Sequence, residues 1–195
     1  MSTLPAVLRT GFALIALAVA MTGCGGSTPS AEERFDGAAF PAGVRAADFT
    51  LPNLSGRPVS LSAHRGHVVA LTFLPDGDCR SCRLVAEQIR GALDELGDSA
   101  RVQTVFVGPP SRSQATRFLS KTGLLGRASY LTADEARLRP VWAAYHVTPP
   151  RDRAAAEDAI TVLLIDKGGL ERVGFGIEQI TPESLSHDIR LLEAG

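Results

Sequence analysis

One stretch limits the folds open to this chain more than any other: Val68 to Leu96, which reads as a buried strand, a tight turn carrying Cys79-Arg80-Ser81-Cys82, and a helix. Val68-Val69-Ala70-Leu71-Thr72-Phe73-Leu74 is a continuous apolar, β-rich run, the pattern of a strand covered on both faces. Pro75, Asp76, Gly77 and Asp78 break it. From Cys82 onward Val85, Ile89, Leu93 and Leu96 recur at helical spacing, with Arg83, Glu87, Arg90 and Asp94 on the other side. The helix is expected to begin at or inside the cysteine pair, which sets both sulfurs at its N-terminus.

Unpaired backbone N–H groups and the positive end of the helix dipole stabilise an anion there, and a thiolate is such an anion. A Cys-x-x-Cys pair in this setting, beside Arg80 and Arg83, has its thiol pKa lowered from about 8.5 toward neutrality. Asp76 and Asp78 push the other way. Two intervening residues on the first helical turn also let the sulfurs form a disulfide without backbone movement. The expected chemistry is dithiol–disulfide exchange, with the more exposed Cys79 attacking and Cys82 resolving. A static structural disulfide is the plainer alternative, although closing so short a loop contributes little to stability.

The chain has 195 residues, about 45% of them apolar, enough for one sizeable core. A formal net charge of -1 and no basic run leave no electrostatic footprint for nucleic acid. Three cysteines is an odd number, and the unpaired one calls for an explanation. Arg9 precedes a short apolar run, Phe12 to Met21, too short to span a bilayer but suited to the core of a secretory signal. The run ends in Met21-Thr22-Gly23-Cys24, which resembles a bacterial lipoprotein signal. That resemblance implies lipidation of Cys24 and a lipid-anchored protein on the extracytoplasmic face of a bacterial cell membrane. Cys79 and Cys82 would then be the only pair. The expected organisation is a signal over residues 1–23, a flexible Gly/Ser/Pro tether over 24–44 and a folded domain over 45–195.

Within that domain, Ala47 to Leu61 reads as two short strands around an Asn/Ser/Gly turn. After the central helix come a buried strand at Val102–Val107, a helix from Ser111 to Leu124, a short strand at Ser129–Thr132 and a helix from Asp134 to Tyr145 that Pro140 bends or delays. Thr148 to Asp158 reads as a long loop. Ile160–Asp166 and Leu170–Phe175 form a hairpin through Lys167-Gly168-Gly169, and Thr181-Pro182-Glu183-Ser184 opens the last helix. Strands alternating with helices and ending in a hairpin predict a mixed α/β sheet flanked by helices.

This order, with cysteines where a strand gives way to a helix, resembles the thioredoxin fold. Asp48-Phe49-Thr50-Leu51, Gly56 to Leu61, Arg65-Gly66, Leu71 to Leu74, Leu138 to Val147 and Leu164-Ile165-Asp166 resemble the Sco/SenC branch, membrane-anchored copper chaperones of cytochrome oxidase assembly. The resemblance spans roughly residues 45–194. It implies a three-layer thioredoxin-like α/β fold with an N-terminal β-hairpin, a monomer, and a protein thiol or disulfide client such as a cytochrome oxidase subunit.

The departures are as informative. The family's cysteines are three residues apart, the second is followed by Pro, and a histidine before the late strand completes a copper site. Here Cys82 takes the second cysteine position, Asp78 stands at the first with Cys79 one residue later, Arg83 replaces the Pro, and the histidine position falls on Asp158. Gly108-Pro109-Pro110 stands where the family has an acidic residue. Two thiolates and a carboxylate suit soft Cu(I) less well than two thiolates and an imidazole. Thiol exchange, which requires no cofactor, is therefore the primary expectation, with Asp78, Asp158, Arg80 and Arg83 as supporting residues. Copper binding by Cys79 and Cys82 is the alternative, with His146 as a further ligand candidate. His64, His67 and His187 read as surface residues. A third expectation, peroxide reduction, rests on the peroxiredoxin-like spacing of Pro75 and Cys82, but Cys79 replaces the Thr expected between them.

Overall fold

The computed structural model describes residues 35–76, 79–97, 101–147 and 153–195. Its centre is strand β4, Val68–Phe73, every residue of which is buried. Side chains alternate across a strand, so the six divide between two cores. Val68 and Ala70 face one, and Val69, Leu71 and Phe73 the other. Strands β5 (Val102–Gly108) and β7 (Thr161–Ile165) divide the same way: Phe106, Val162 and Leu164 on the first face, Val105, Val107, Leu163 and Ile165 on the second. Two-sided burial is why these strands are apolar almost without interruption.

Six strands form the main sheet, in the order β1-β8-β7-β4-β5-β6, completed by β1 (Ala38–Ala39), β6 (Ala128–Thr132) and β8 (Glu171–Gly176). β4, β5 and β6 are parallel, while β7 runs antiparallel to β4 and to β8. Helices α1 (Arg80–Leu96), α2 (Arg112–Lys121) and α5 (Pro182–Ala194) cover the first face through Val85, Ile89, Phe118, Leu185 and Ile189. Helix α3 (Glu135–Ala144) and the hairpin of β2 (Thr50–Pro52) and β3 (Pro58–Ser60) cover the second through Leu138, Trp142, Phe49 and Leu51. This is a thioredoxin-like α/β fold with its mixed sheet between two helical layers: the strand–helix order predicts the layers, and the resemblance implies the thioredoxin-like arrangement.

Pro140 lies inside α3, whose N-cap is Asp134, so the proline does not delay the helix. Three expectations need correction. The segment read as a long loop contains a short helix, α4, at Arg153–Asp158. The tether ends earlier than residue 44, because β1 pairs with β8 and the N–H groups of Asp36 and Gly37 donate to the carboxylate of Asp188 on α5 at 2.9 and 3.0 Å. Phe35 lies beside the Asp166–Gly168 turn and Gly195, at the end of the sheet opposite the C-terminal end of β4. His64 and His67 are half-buried, with one ring nitrogen each shielded from solvent, where the sequence suggested surface positions.

Gly108 marks where backbone comes closest. A Cβ placed there would lie 2.5 Å from the Leu74 carbonyl oxygen and 2.8 Å from the Tyr130 hydroxyl. Backbone cannot yield as a flexible side chain does, so Gly108→Ala is expected to cost about 1–3 kcal/mol through overpacking. An unchanged midpoint of urea unfolding would refute this.

Candidate active site

Helix α1 is fixed by the apolar stripe of Cys82, Val85, Ala86, Ile89, Ala92 and Leu93, all buried. It ends at Gly97, whose φ of 71° lies in the left-handed region that glycine adopts without penalty. At the other end Cys79 is the N-cap residue, with extended backbone, and its Sγ accepts the Cys82 N–H at 2.9 Å. Cys79 and Cys82 are joined in a disulfide with their Cα atoms 5.0 Å apart. The strand, turn and helix thus place the pair where the sequence predicts.

Exposure does not distinguish the two sulfurs. Cys79 is 1% exposed and Cys82 0%, which corrects the expectation of a more exposed Cys79. Their hydrogen-bonding surroundings do distinguish them. Cys79 Sγ faces a helix N–H, which stabilises a thiolate. Cys82 Sγ lies 3.5 Å from the Asp76 carbonyl oxygen, an acceptor that favours a protonated thiol after reduction.

Around the pair, Arg80 opens α1 from its exposed side, and half-buried Arg83 donates its backbone N–H to the Cys79 carbonyl at 3.1 Å. Asp78 and Cys24 lie outside the described residues. Asp158 is exposed, and the carboxylate of the neighbouring Glu157 accepts the Ser81 N–H at 3.3 Å. Asp76 is half-buried, with a carboxylate oxygen within 4.8 Å of both sulfurs. Buried in β6, Tyr130 has a hydroxyl without a hydrogen-bond partner. Burial, and then the charge of Asp76, hold its phenol far above the ordinary tyrosine range.

A cleft of about 970 Å³ opens beside the site, floored by Phe73, Leu74 and Pro75 and walled by Trp142, Tyr145 and Ile160. His146, at a φ of 54°, and Glu171 also line it. Burial raises the carboxyl pKa of Glu171, and the charge of His146 partly offsets this. The grouped metal-capable donors at the cysteines are Asp76, Cys79 and Cys82, so His146 is not brought to the sulfurs. Sequence reasoning missed Glu157, although the Arg-Ala-Ala-Ala-Glu-Asp run carries the helix propensity that could have revealed α4.

The model of the AhpC/TSA family matches residues 42–168, well over half of the chain and the whole strand–turn–helix unit. The chain belongs to the AhpC/TSA family. No curated protein is significantly similar to it. Among solved structures, this AhpC/TSA chain resembles BsSco, a member of the Sco family of cytochrome c oxidase assembly proteins in which a disulfide switch was identified, at 14% identity and a TM-score of 0.64 over 80% of this chain and 96% of that one. It also resembles copper-bound ScoI of Arabidopsis thaliana, at 14% identity and 0.64 over 78% and 100%. A third is a secreted disulfide oxidoreductase of Mycobacterium tuberculosis, at 20% and 0.55 over 74% and 96%. At these identities the likeness establishes the thioredoxin-like fold of this AhpC/TSA member. Among the described residues, no helix is long and apolar enough to cross a membrane.

Proposed function

We propose that this AhpC/TSA protein is an extracytoplasmic thiol–disulfide oxidoreductase, anchored to the membrane through Cys24, that reduces a cysteine pair on a protein client. The observation that carries the reading is the Cys79–Cys82 disulfide at the start of α1, with Cys79 Sγ on the Cys82 N–H. The Cys79 thiolate attacks one sulfur of the client disulfide; the Cys79–client bond forms, the client bond breaks, and one client thiolate leaves. Cys82 then gives up its proton and attacks Cys79. The second client sulfur departs, the Cys82 proton goes to a released client thiolate, and two electrons have passed to the client. An extracytoplasmic thiol protein returns them.

The cleft beside Pro75 and Ile160 offers apolar walls for the client chain around its cysteine. By analogy with the Sco neighbours, the client is a cysteine pair of cytochrome oxidase during maturation, met by a monomer.

A second reading, copper binding, draws on Asp76, Cys79 and Cys82, whose donor atoms lie within 4.8 Å of one another. The sulfurs fit Cu(I) once reduced, but the third donor is a hard carboxylate and supports the metal poorly. Copper would be cargo here. Peroxide reduction is disfavoured by Cys79 in the place of the expected Thr.

The full reduced chain, mixed anaerobically with an oxidised cysteine-pair peptide, Cu(I) against a competing chelator, or hydrogen peroxide, separates the three. Peptide reduction with no competitive copper binding is expected. One tightly held copper that is lost in the Cys79→Ser/Cys82→Ser variant would favour the second reading, and rapid peroxide consumption the third.

A further inference from the structure

Ser81 stands between the cysteines, and its N–H is one of the donors that the first turn of α1 leaves without an intrahelical acceptor. The Glu157 carboxylate takes it, from α4, across 76 residues of sequence. Two successive donors of one helix start therefore serve two acceptors: the Cys82 N–H goes to Cys79 Sγ and the Ser81 N–H to Glu157. The positive end of a helix is a shared, limited resource. A carboxylate held there opposes a thiolate beside it.

The two redox states differ in this respect. The disulfide carries no charge, whereas the dithiol places an anion on Cys79. Arg80 and Arg83 belong to the first turn of α1, Asp76 after β4 has a carboxylate oxygen within 4.8 Å of both sulfurs, and Glu157 of α4 bonds the Ser81 N–H. Of the two carboxylates, Glu157 is the one bonded to the helix terminus itself.

We propose that Glu157 is a positioning residue that sets the redox poise of the Cys79–Cys82 pair, making it a stronger reductant by holding a negative charge on the Ser81 N–H. Destabilising the Cys79 thiolate disfavours the dithiol relative to the disulfide, so electrons pass more readily to the client. This inference rests on the reading of the pair as redox-active. It assigns α4 a chemical task that the sequence pattern gave to Asp158.

The test compares Glu157→Gln, Glu157→Lys and Asp158→Asn with wild type in the full chain. Two quantities are read: the pH at which Cys79 ionises, followed by thiolate absorbance, and the equilibrium with glutathione redox buffers. Glu157→Gln is expected to shift ionisation to lower pH and to move the equilibrium about threefold to tenfold toward the dithiol, tenfold being about 30 mV. Glu157→Lys should move both further in the same direction, a charge-ordered series that a packing change would not produce. Asp158→Asn should leave both in place. Wild-type values in both Glu157 variants would overturn the inference while the redox reading stands. A wild-type pair that never equilibrates with glutathione would instead overturn the redox reading.

Discussion

Replacing Cys79 by serine is expected to reduce disulfide exchange to background, while Cys82→Ser leaves a chain that still attacks a client disulfide and then stalls as a mixed disulfide. The asymmetry follows from the two sulfurs' neighbours, since their burial is equal. Cys79 Sγ is placed on a helix N–H at 2.9 Å, and Cys82 Sγ faces the Asp76 carbonyl oxygen at 3.5 Å. The first stabilises a thiolate, the nucleophilic form, and the second holds a proton on the thiol. A serine hydroxyl at 79 stays protonated at neutral pH and cannot form a disulfide bond. Mass spectrometry of each variant after mixing with an oxidised peptide checks this: adducts should accumulate on Cys82→Ser and not on Cys79→Ser. Adducts on the Cys79→Ser chain would make Cys82 the attacking residue.

The second large effect concerns stability. Asp188→Ala is expected to destabilise the protein by about 3 kcal/mol, because hydrogen bonds to a charged group are worth roughly 1.5–3 kcal/mol each and their loss leaves donors without partners. Asp188 is 0% exposed, yet its carboxylate accepts from the N–H groups of Asp36 and Gly37, and its Oδ1 lies 3.0 Å from His187 Nδ1. Gly37 has no room for a side chain, since a Cβ there would collide with Val173 and Phe175, so this segment has little freedom to find other acceptors. For a domain of this size the loss corresponds to a fall in Tm of roughly 6–12 °C. Asp188→Asn keeps one acceptor oxygen and should lose less. Urea unfolding that places the alanine variant within 0.5 kcal/mol of wild type would refute the assignment, 0.5 kcal/mol being about the scale of a neutral surface change.

Where local pattern decides structure, the sequence was legible. β4 is buried on both faces and therefore reads as an unbroken apolar run. α1 buries one stripe and reads at helical period, and Thr181 with Pro182 announces α5 through its own capping chemistry. The site's skeleton followed, because a Cys-x-x-Cys between such a strand and such a helix has one place to go. What the sequence hid depends on distant partners. The burial of Cys79 is a tertiary property, and the contact that identifies Glu157 spans 76 residues. Counting back from Leu164 by family pattern landed on Asp158, one residue from the group that bonds Ser81. β1 is two residues long, too short to show a period, and its anchor on Asp188 lies some 150 residues away.

The entry point of the chain also governs what the dithiol can reach. Phe35 joins the fold beside the Asp166–Gly168 turn, while Cys79 and Cys82 follow the far end of β4. With Cys24 as the proposed lipid attachment, ten residues lie between it and Phe35, at most about 40 Å of extended chain over the eleven steps. The sheet adds roughly 20 Å more, at about 3.3 Å per strand residue. If the proposed attachment through Cys24 holds, the dithiol lies at the end of the fold away from the point where the tether enters, so a client can meet it without crossing the tether.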